Sequence, residues 1–189
     1  RSAPMRAPRS APPSAGASAV TMRAFSIASE PSTMARHYHE SVELFVIRHA
    51  KAEDRDAARW PDDSLRPLTK DGARDFERVA RRVGRWRPGV DLVLASGWVR
   101  AWETARILRV HAGWPRPART KLLETCDPGD VPAIAALVAE QPVHARIAVV
   151  GHEPVLGHLV SALASSGGGL RIDMRKGAPR SHAAAERAV

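Results

Sequence analysis

The sequence predicts an α/β fold on an open, mostly parallel sheet, and three observations carry that prediction. Short runs dominated by Val, Ile, Leu and Ala occur at Val42–Ile47, Asp91–Ala95 and Arg146–Val150, the composition of strands buried on both faces. Longer segments between them space their apolar residues by three and four, as helices with one buried side do. Each apolar run also stops at a polar or glycine residue and is followed by a helix, the order expected of strand–helix units.

Length and charge bound the rest. A chain of 189 residues with 44% hydrophobic content suits one domain with its own core. No apolar run approaches the ~18 residues of a membrane span. The net charge of +9 raises nucleic acid as a partner, so its distribution matters. Residues 1–40, the middle and residues 171–189 each carry +3, so two thirds of the excess lies at the two ends. A basic body for nucleic acid is not indicated. The single Cys126 cannot form an internal disulfide, which fits a reducing, cytoplasmic setting.

Residues 1–36 are rich in Ala, Ser, Pro and Arg with Glu30 their one acid, and are expected to be disordered, within a basic extension over 1–40. The same composition describes an organelle transit peptide. The favoured reading is an extension ahead of a true start at Met22 or Met34. His37 and His39 lack further ligands and read as solvated.

Val42–Ile47 is the first buried strand, and it ends in Arg48-His49. A guanidinium fork fits phosphate oxygens, and a histidine beside it can be base, acid or nucleophile near neutral pH. The charged segment Glu53–Pro67, with the turn cluster Trp60-Pro61-Asp62-Asp63-Ser64, is expected to form a loop over the mouth of the sheet. Thr69 is the N-cap of a helix whose Phe76, Val79, Ala80 and Val83 face inward, while Arg74, Arg78, Arg81, Arg82 and Arg85 form a solvated face.

Asp91–Ser96 is the second strand. It delivers Ser96, Arg100 and the N-terminus of a helix that runs to about His111, and such termini attract anions. Trp98 and Trp102, one turn apart, are expected to pack. Arg119–Leu123 is a short strand or loop leading to Glu124, and Gly129–Gln141 a helix with Val131, Ile134, Ala135 and Val138 inward. Arg146–Val150 is the third strand, ending in Gly151-His152-Glu153-Pro154 before a helix over Val155–Ala164, in which His158 reads as structural. Leu170–Met174 alternates like a half-buried strand. From Pro179 no strand pattern remains, and residues 179–189 are expected to be a disordered tail.

Three strand ends thus carry Arg48-His49, Arg100 and His152. In a parallel sheet they share one edge, where open α/β sheets bind ligands. Two arginines and two histidines round one cavity suit a dianionic tetrahedral group. A metal would want carboxylates or several histidines, and the arginines would repel it, so neither metal nor cofactor is expected.

Arg48-His49-Ala50-Lys51-Ala52-Glu53 resembles the Arg-His-Gly signature of the histidine phosphatase superfamily in an alanine form. Arg66-Pro67-Leu68-Thr69 with Gly72, Ser96 with Arg100-Ala101 and Thr104-Ala105, and Gly151-His152-Glu153-Pro154 match its other blocks in order. Size and the Arg-Pro-Leu-Thr block resemble the small SixA-type phosphohistidine phosphatases. The resemblance implies a three-layer α/β/α sandwich, phosphoglycerate mutase-like, with the domain over residues 41–178.

It also implies a phosphohydrolase that needs no metal, with His49 the nucleophile that becomes phosphohistidine. Arg48, Arg100 and a protonated His152 would clamp the phosphate oxygens, supplying the positioning and charge stabilisation that phosphoryl transfer needs. Their positive field would keep His49 neutral. Glu124 stands where mutase-like relatives place a general acid, and Glu153 is its rival. The implied substrate is a phosphohistidine-bearing protein or a small phosphorylated molecule, such as a nucleotide or sugar phosphate. A phosphate-binding module without turnover would lack His49 or an arginine, and all are present. The departure lies after Lys176-Gly177-Ala178, where the family continues with another strand; without it a sheet edge would be bare.

Overall fold

The computed structural model describes residues 42–86, 89–142 and 144–164, together with the backbone of a strand at Ala19–Ala24. Five strands, β1 (Ala19–Ala24), β2 (Val42–Arg48), β3 (Leu92–Ala95), β4 (Ala118–Arg119) and β5 (Arg146–Gly151), form one sheet in the order β1-β2-β5-β3-β4. β2, β5, β3 and β4 are parallel, and β1 lies antiparallel along β2. Among the described residues there are four α-helices: α1 (Lys70–Trp86), α2 (Val99–Ala112), α3 (Val131–Ala139) and α4 (Val155–Ala164).

The alternation of strand side chains explains the layers. Phe45 and Ile47 of β2, Val93 and Ala95 of β3, and Ala148 and Val150 of β5 pack with Phe76 and Ala80 of α1 and Ala101, Ala105 and Leu108 of α2. Leu44, Val46, Leu94, Ile147 and Val149 point the other way, against Ile134 and Val138 of α3 and Leu156, Leu159 and Val160 of α4. Residues consecutive in a strand therefore serve opposite cores, which is why these strands are apolar throughout. Each fully buried Leu, Ile or Phe contributes about 1.5–3 kcal/mol of transfer free energy.

β1 departs from the expectation that residues 1–36 lack regular structure. It pairs from Ala19 opposite Ile47 to Ala24 opposite Val42, on the edge of β2 away from β5. An edge strand presents unpaired backbone groups that a nearby segment with β-branched residues, here Val20 and Thr21, can satisfy. Leu170–Met174, the 179–189 tail and the rest of the N-terminal extension lie outside the described residues.

α1 begins as its sequence dictates. The Thr69 hydroxyl accepts the Gly72 N–H at 2.9 Å, and the Thr69 N–H donates to the Lys51 carbonyl at 3.0 Å. A Cβ on Gly72 would run into that same carbonyl, so glycine lets the helix start against the loop that follows His49. On the outer face Arg74, Arg78 and Arg81 pair with Asp71, Asp75 and Glu77, three or four residues earlier. Three of the five arginines of the stripe are thereby paired with acids of their own helix. Among the described residues, no helix is long and apolar enough to cross a membrane.

Candidate active site

The carboxyl ends of β2, β5 and β3 lie side by side. Arg48 is opposite Gly151, the His49 N–H donates to the Gly151 carbonyl at 3.1 Å, and the Ser96 N–H donates to the Val150 carbonyl at 3.0 Å. Sheet register thus brings His49, His152 and Ser96 together from points about 50 residues apart in the chain. The two imidazoles have ring centroids 5.3 Å apart. They border a cavity of about 380 Å³ also lined by Arg48, Arg55, Arg66, Arg100, Cys126 and Glu153.

His49 is 4% exposed, and its Nδ1 lies 2.7 Å from the Ala50 carbonyl oxygen. A carbonyl only accepts, so Nδ1 carries the proton and Nε2 carries the lone pair. The loop that makes this contact is tied to α2: the Ala50 N–H donates to Thr104 Oγ1 at 3.1 Å, and that hydroxyl donates to the Arg100 carbonyl at 2.7 Å.

His152 is 2% exposed, with Nε2 2.9 Å from Ser96 Oγ. Its ring lies against Trp98 at 4.5 Å, and the Arg100 guanidinium stacks on the same indole at 4.6 Å. Burial, then the neighbouring His49, Arg100 and Arg48, pushes the His152 pKa down to about 2 against the opposing pull of Asp63. These effects favour a neutral His152 near pH 7. This corrects the expectation of a protonated clamp: desolvation and surrounding positive charge outweigh the single acid nearby. Among the described residues, His152 Nδ1 and Arg100 Nε are buried with no hydrogen-bond partner.

The structure brings Arg48, His49, Arg100 and His152 to one cavity. Glu124 is not among its lining residues. The Glu124 Oε1 accepts the Gly97 N–H at 3.1 Å, in space that a Cβ on Gly97 would occupy, while Glu153 does line the cavity. Trp98 and Trp102 have separate partners, the latter under Arg119 at 4.4 Å.

Two site residues escaped the sequence reading. Asp63, counted there as part of a turn, takes hydrogen bonds from Arg100 and Arg66, and Arg66 itself lines the cavity at 6% exposure. The Arg66 hydrogen bond, helped by Arg55 and the charge of Arg100, holds the Asp63 carboxyl well below the usual range. The i,i+3 spacing of Asp63 and Arg66 was the available signal.

A cationic cleft at the carboxyl edge of a parallel sheet, with an imidazole whose tautomer is set by the backbone, is the architecture of an enzyme that handles phosphoryl groups. Comparisons with known proteins make the class definite. A model of the histidine phosphatase superfamily (branch 1) matches residues 44–131. An uncharacterised protein of Picosynechococcus sp. is 31% identical over 138 residues, covering 71% of this chain and 81% of its own. Phosphohistidine phosphatase SixA of Escherichia coli is 30% identical over 124 residues, or 65% of this chain and 74% of that one. The solved structure of the protein histidine phosphatase SixA complexed with tungstate superposes with a TM-score of 0.58 at 26% identity, covering 71% of this chain and 83% of that one. The chain belongs to the histidine phosphatase superfamily, and it is a phosphatase.

Proposed function

We propose that this phosphatase hydrolyses phosphohistidine on a protein, through a phosphohistidine formed on His49 and without a metal. The observation that carries the mechanism is the 2.7 Å contact from His49 Nδ1 to the Ala50 carbonyl, which puts the nucleophilic lone pair on Nε2. Nε2 attacks phosphorus in line, and the bond to the substrate imidazole breaks. The leaving ring keeps the electron pair and takes a proton. Water then attacks the phosphorus on His49, restoring the imidazole and releasing inorganic phosphate.

Arg48, Arg100 and His152 hold the non-bridging oxygens. Charge stabilisation comes from the guanidinium groups, and a neutral His152 with its proton on Nδ1 contributes a hydrogen bond, Ser96 Oγ–H supplying the partner for Nε2. A bound dianion also opposes the positive field that keeps His152 neutral. Imidazole is a good leaving group, so a carboxylic acid is not essential; Glu53, Asp54 and Glu153 border the cavity, and Glu124 stands outside its lining. The substrate class is supported by likeness to a phosphohistidine phosphatase of E. coli and to a relative that binds tungstate, a tetrahedral oxyanion.

The test is phosphate release from a phosphohistidine peptide in EDTA, with His49→Ala alongside. Release by the wild type alone is expected. Failure on that peptide with His49-dependent release from a small phosphate ester would move the substrate, and release unaffected by His49→Ala would overturn the mechanism.

A further inference from the structure

One acid bonded to Arg100 is not used by this chemistry. Asp63 lies at the start of the 3-10 turn Asp63–Leu65, in the segment joining β2 to α1. Its backbone carbonyl accepts from Arg100 Nη1 at 2.6 Å, and its Oδ2 accepts from Arg100 Nη2 at 3.0 Å. Its Oδ1 accepts from Arg66 Nε at 2.8 Å, and Arg66 Nη1 continues to the Glu53 carbonyl at 2.7 Å. Exposed Arg55 adds a longer contact at 3.5 Å. Arg100 and Arg66 are only 3% and 6% exposed. Buried guanidinium groups need a counter-ion, and one carboxylate serves both.

The placement of these bonds has a directional consequence. A guanidinium is a rigid plane with five N–H donors. Asp63 occupies the end of Arg100, taking one hydrogen of Nη1 and one of Nη2. The side of the same plane, Nε–H with the second hydrogen of Nη2, is not used by Asp63; among the described residues Arg100 Nε is buried without a hydrogen-bond partner. That edge can grip two oxygens of a tetrahedral anion at once.

We propose that Asp63 is a positioning residue: it holds the Nη1–Nη2 end of Arg100 so that the Nε–Nη2 side meets the phosphoryl oxygens, and it locks Arg66 and the 53–66 loop to that same guanidinium. The proposal rests on Arg100 binding the phosphoryl group as set out above. It acts through Arg100, so its signature is dependence on Arg100. Loss of a merely structural ion pair would lower stability without that dependence.

The experiment is a double-mutant cycle with Asp63→Asn and Arg100→Ala, read by turnover of a phosphohistidine peptide and by calorimetric binding of tungstate. Asp63→Asn should lower kcat on the order of 100-fold, as expected for a misplaced transition-state contact, with a smaller change in KM. In the Arg100→Ala background the same substitution should cost less than about threefold. Tungstate affinity should follow the same pattern, and Asp63→Glu, which keeps the carboxylate, should recover part of both. Equal losses in the two backgrounds, or no loss from Asp63→Asn, would overturn the proposal. If Asp63→Asn melts before assay, the cycle is run with Asp63→Glu, and equal losses in both backgrounds again overturn it. A wild type that binds tungstate but releases no phosphate would defeat the phosphatase reading, and the tungstate cycle alone would then decide the role of Asp63.

Discussion

Replacing His152 with asparagine should make the protein less sensitive to mild acid, and the size of the effect follows from where the ring sits. His152 is 2% exposed and its pKa is held at about 2, against an ordinary value of 6.5. Between those values the unfolded chain takes up a proton that the folded protein refuses. Stability is therefore fully present above pH 6.5 and is lost as pH falls. At about 1.4 kcal/mol per pH unit below 6.5, going from pH 7 to pH 5 removes about 2 kcal/mol. For a protein of this size that is about 4–8 °C in Tm. The depressed carboxyls of Asp62 and Asp63 do not interfere, since their ordinary value is 3.8 and their contribution is lost only near and below it. Urea and thermal unfolding of the wild type and His152→Asn at pH 7 and pH 5 would measure the difference. The wild type should lose about 2 kcal/mol more than the variant. Equal acid losses in the two proteins would refute the claim that His152 is buried neutral.

Other substitutions probe the surroundings. Thr104→Val keeps the shape but strands the buried Ala50 N–H that Thr104 Oγ1 accepts at 3.1 Å. It should destabilise by about 1–3 kcal/mol in urea unfolding, and unchanged stability would contradict the tie between the His49 loop and α2. Glu124→Gln should fall short of the roughly 10²–10⁴-fold loss that removing a general acid brings. Its kcat should be compared on a phosphohistidine peptide and on an ester with a poor leaving group. A loss of that size confined to the poor leaving group would restore Glu124 as the acid despite its bond to Gly97.

What could be read from the sequence divides along a physical line. β2, β3 and β5 were legible because burial on both faces leaves an uninterrupted apolar run, and their polar ends pointed to Arg48, His49, Ser96 and His152. Helix α1 announced its start through Thr69 and Gly72, and Arg74, Arg78 and Arg81 proved to pair with acids of the same helix. β1 was hidden because its pairing partners lie 18 to 28 residues away and its own segment resembles disordered sequence. Asp63 was hidden because a carboxylate in a turn is ordinarily solvated, and only the fold shows two buried guanidinium groups converging on it. The chain order correctly placed Glu124 after the second strand, but the direction of its side chain depends on the gap that Gly97 leaves. Charge on His152 was misjudged for the same reason: a motif names a residue, while burial decides its protonation.

The bond from the His49 N–H to the Gly151 carbonyl separates two kinds of part in this molecule. His49 and His152 hang from adjacent rungs of a parallel ladder, so they cannot drift apart without tearing the sheet. Arg55, Arg66 and Asp63 belong instead to the segment joining β2 to α1, outside the sheet ladder. The two imidazoles are thus set by the sheet, and the aim of Arg100 by a connecting segment. An engineer wanting a different leaving group would vary exposed positions of the 53–66 segment such as Arg55, and leave the strands, Arg66 and Asp63 in place so that Arg100 stays aimed.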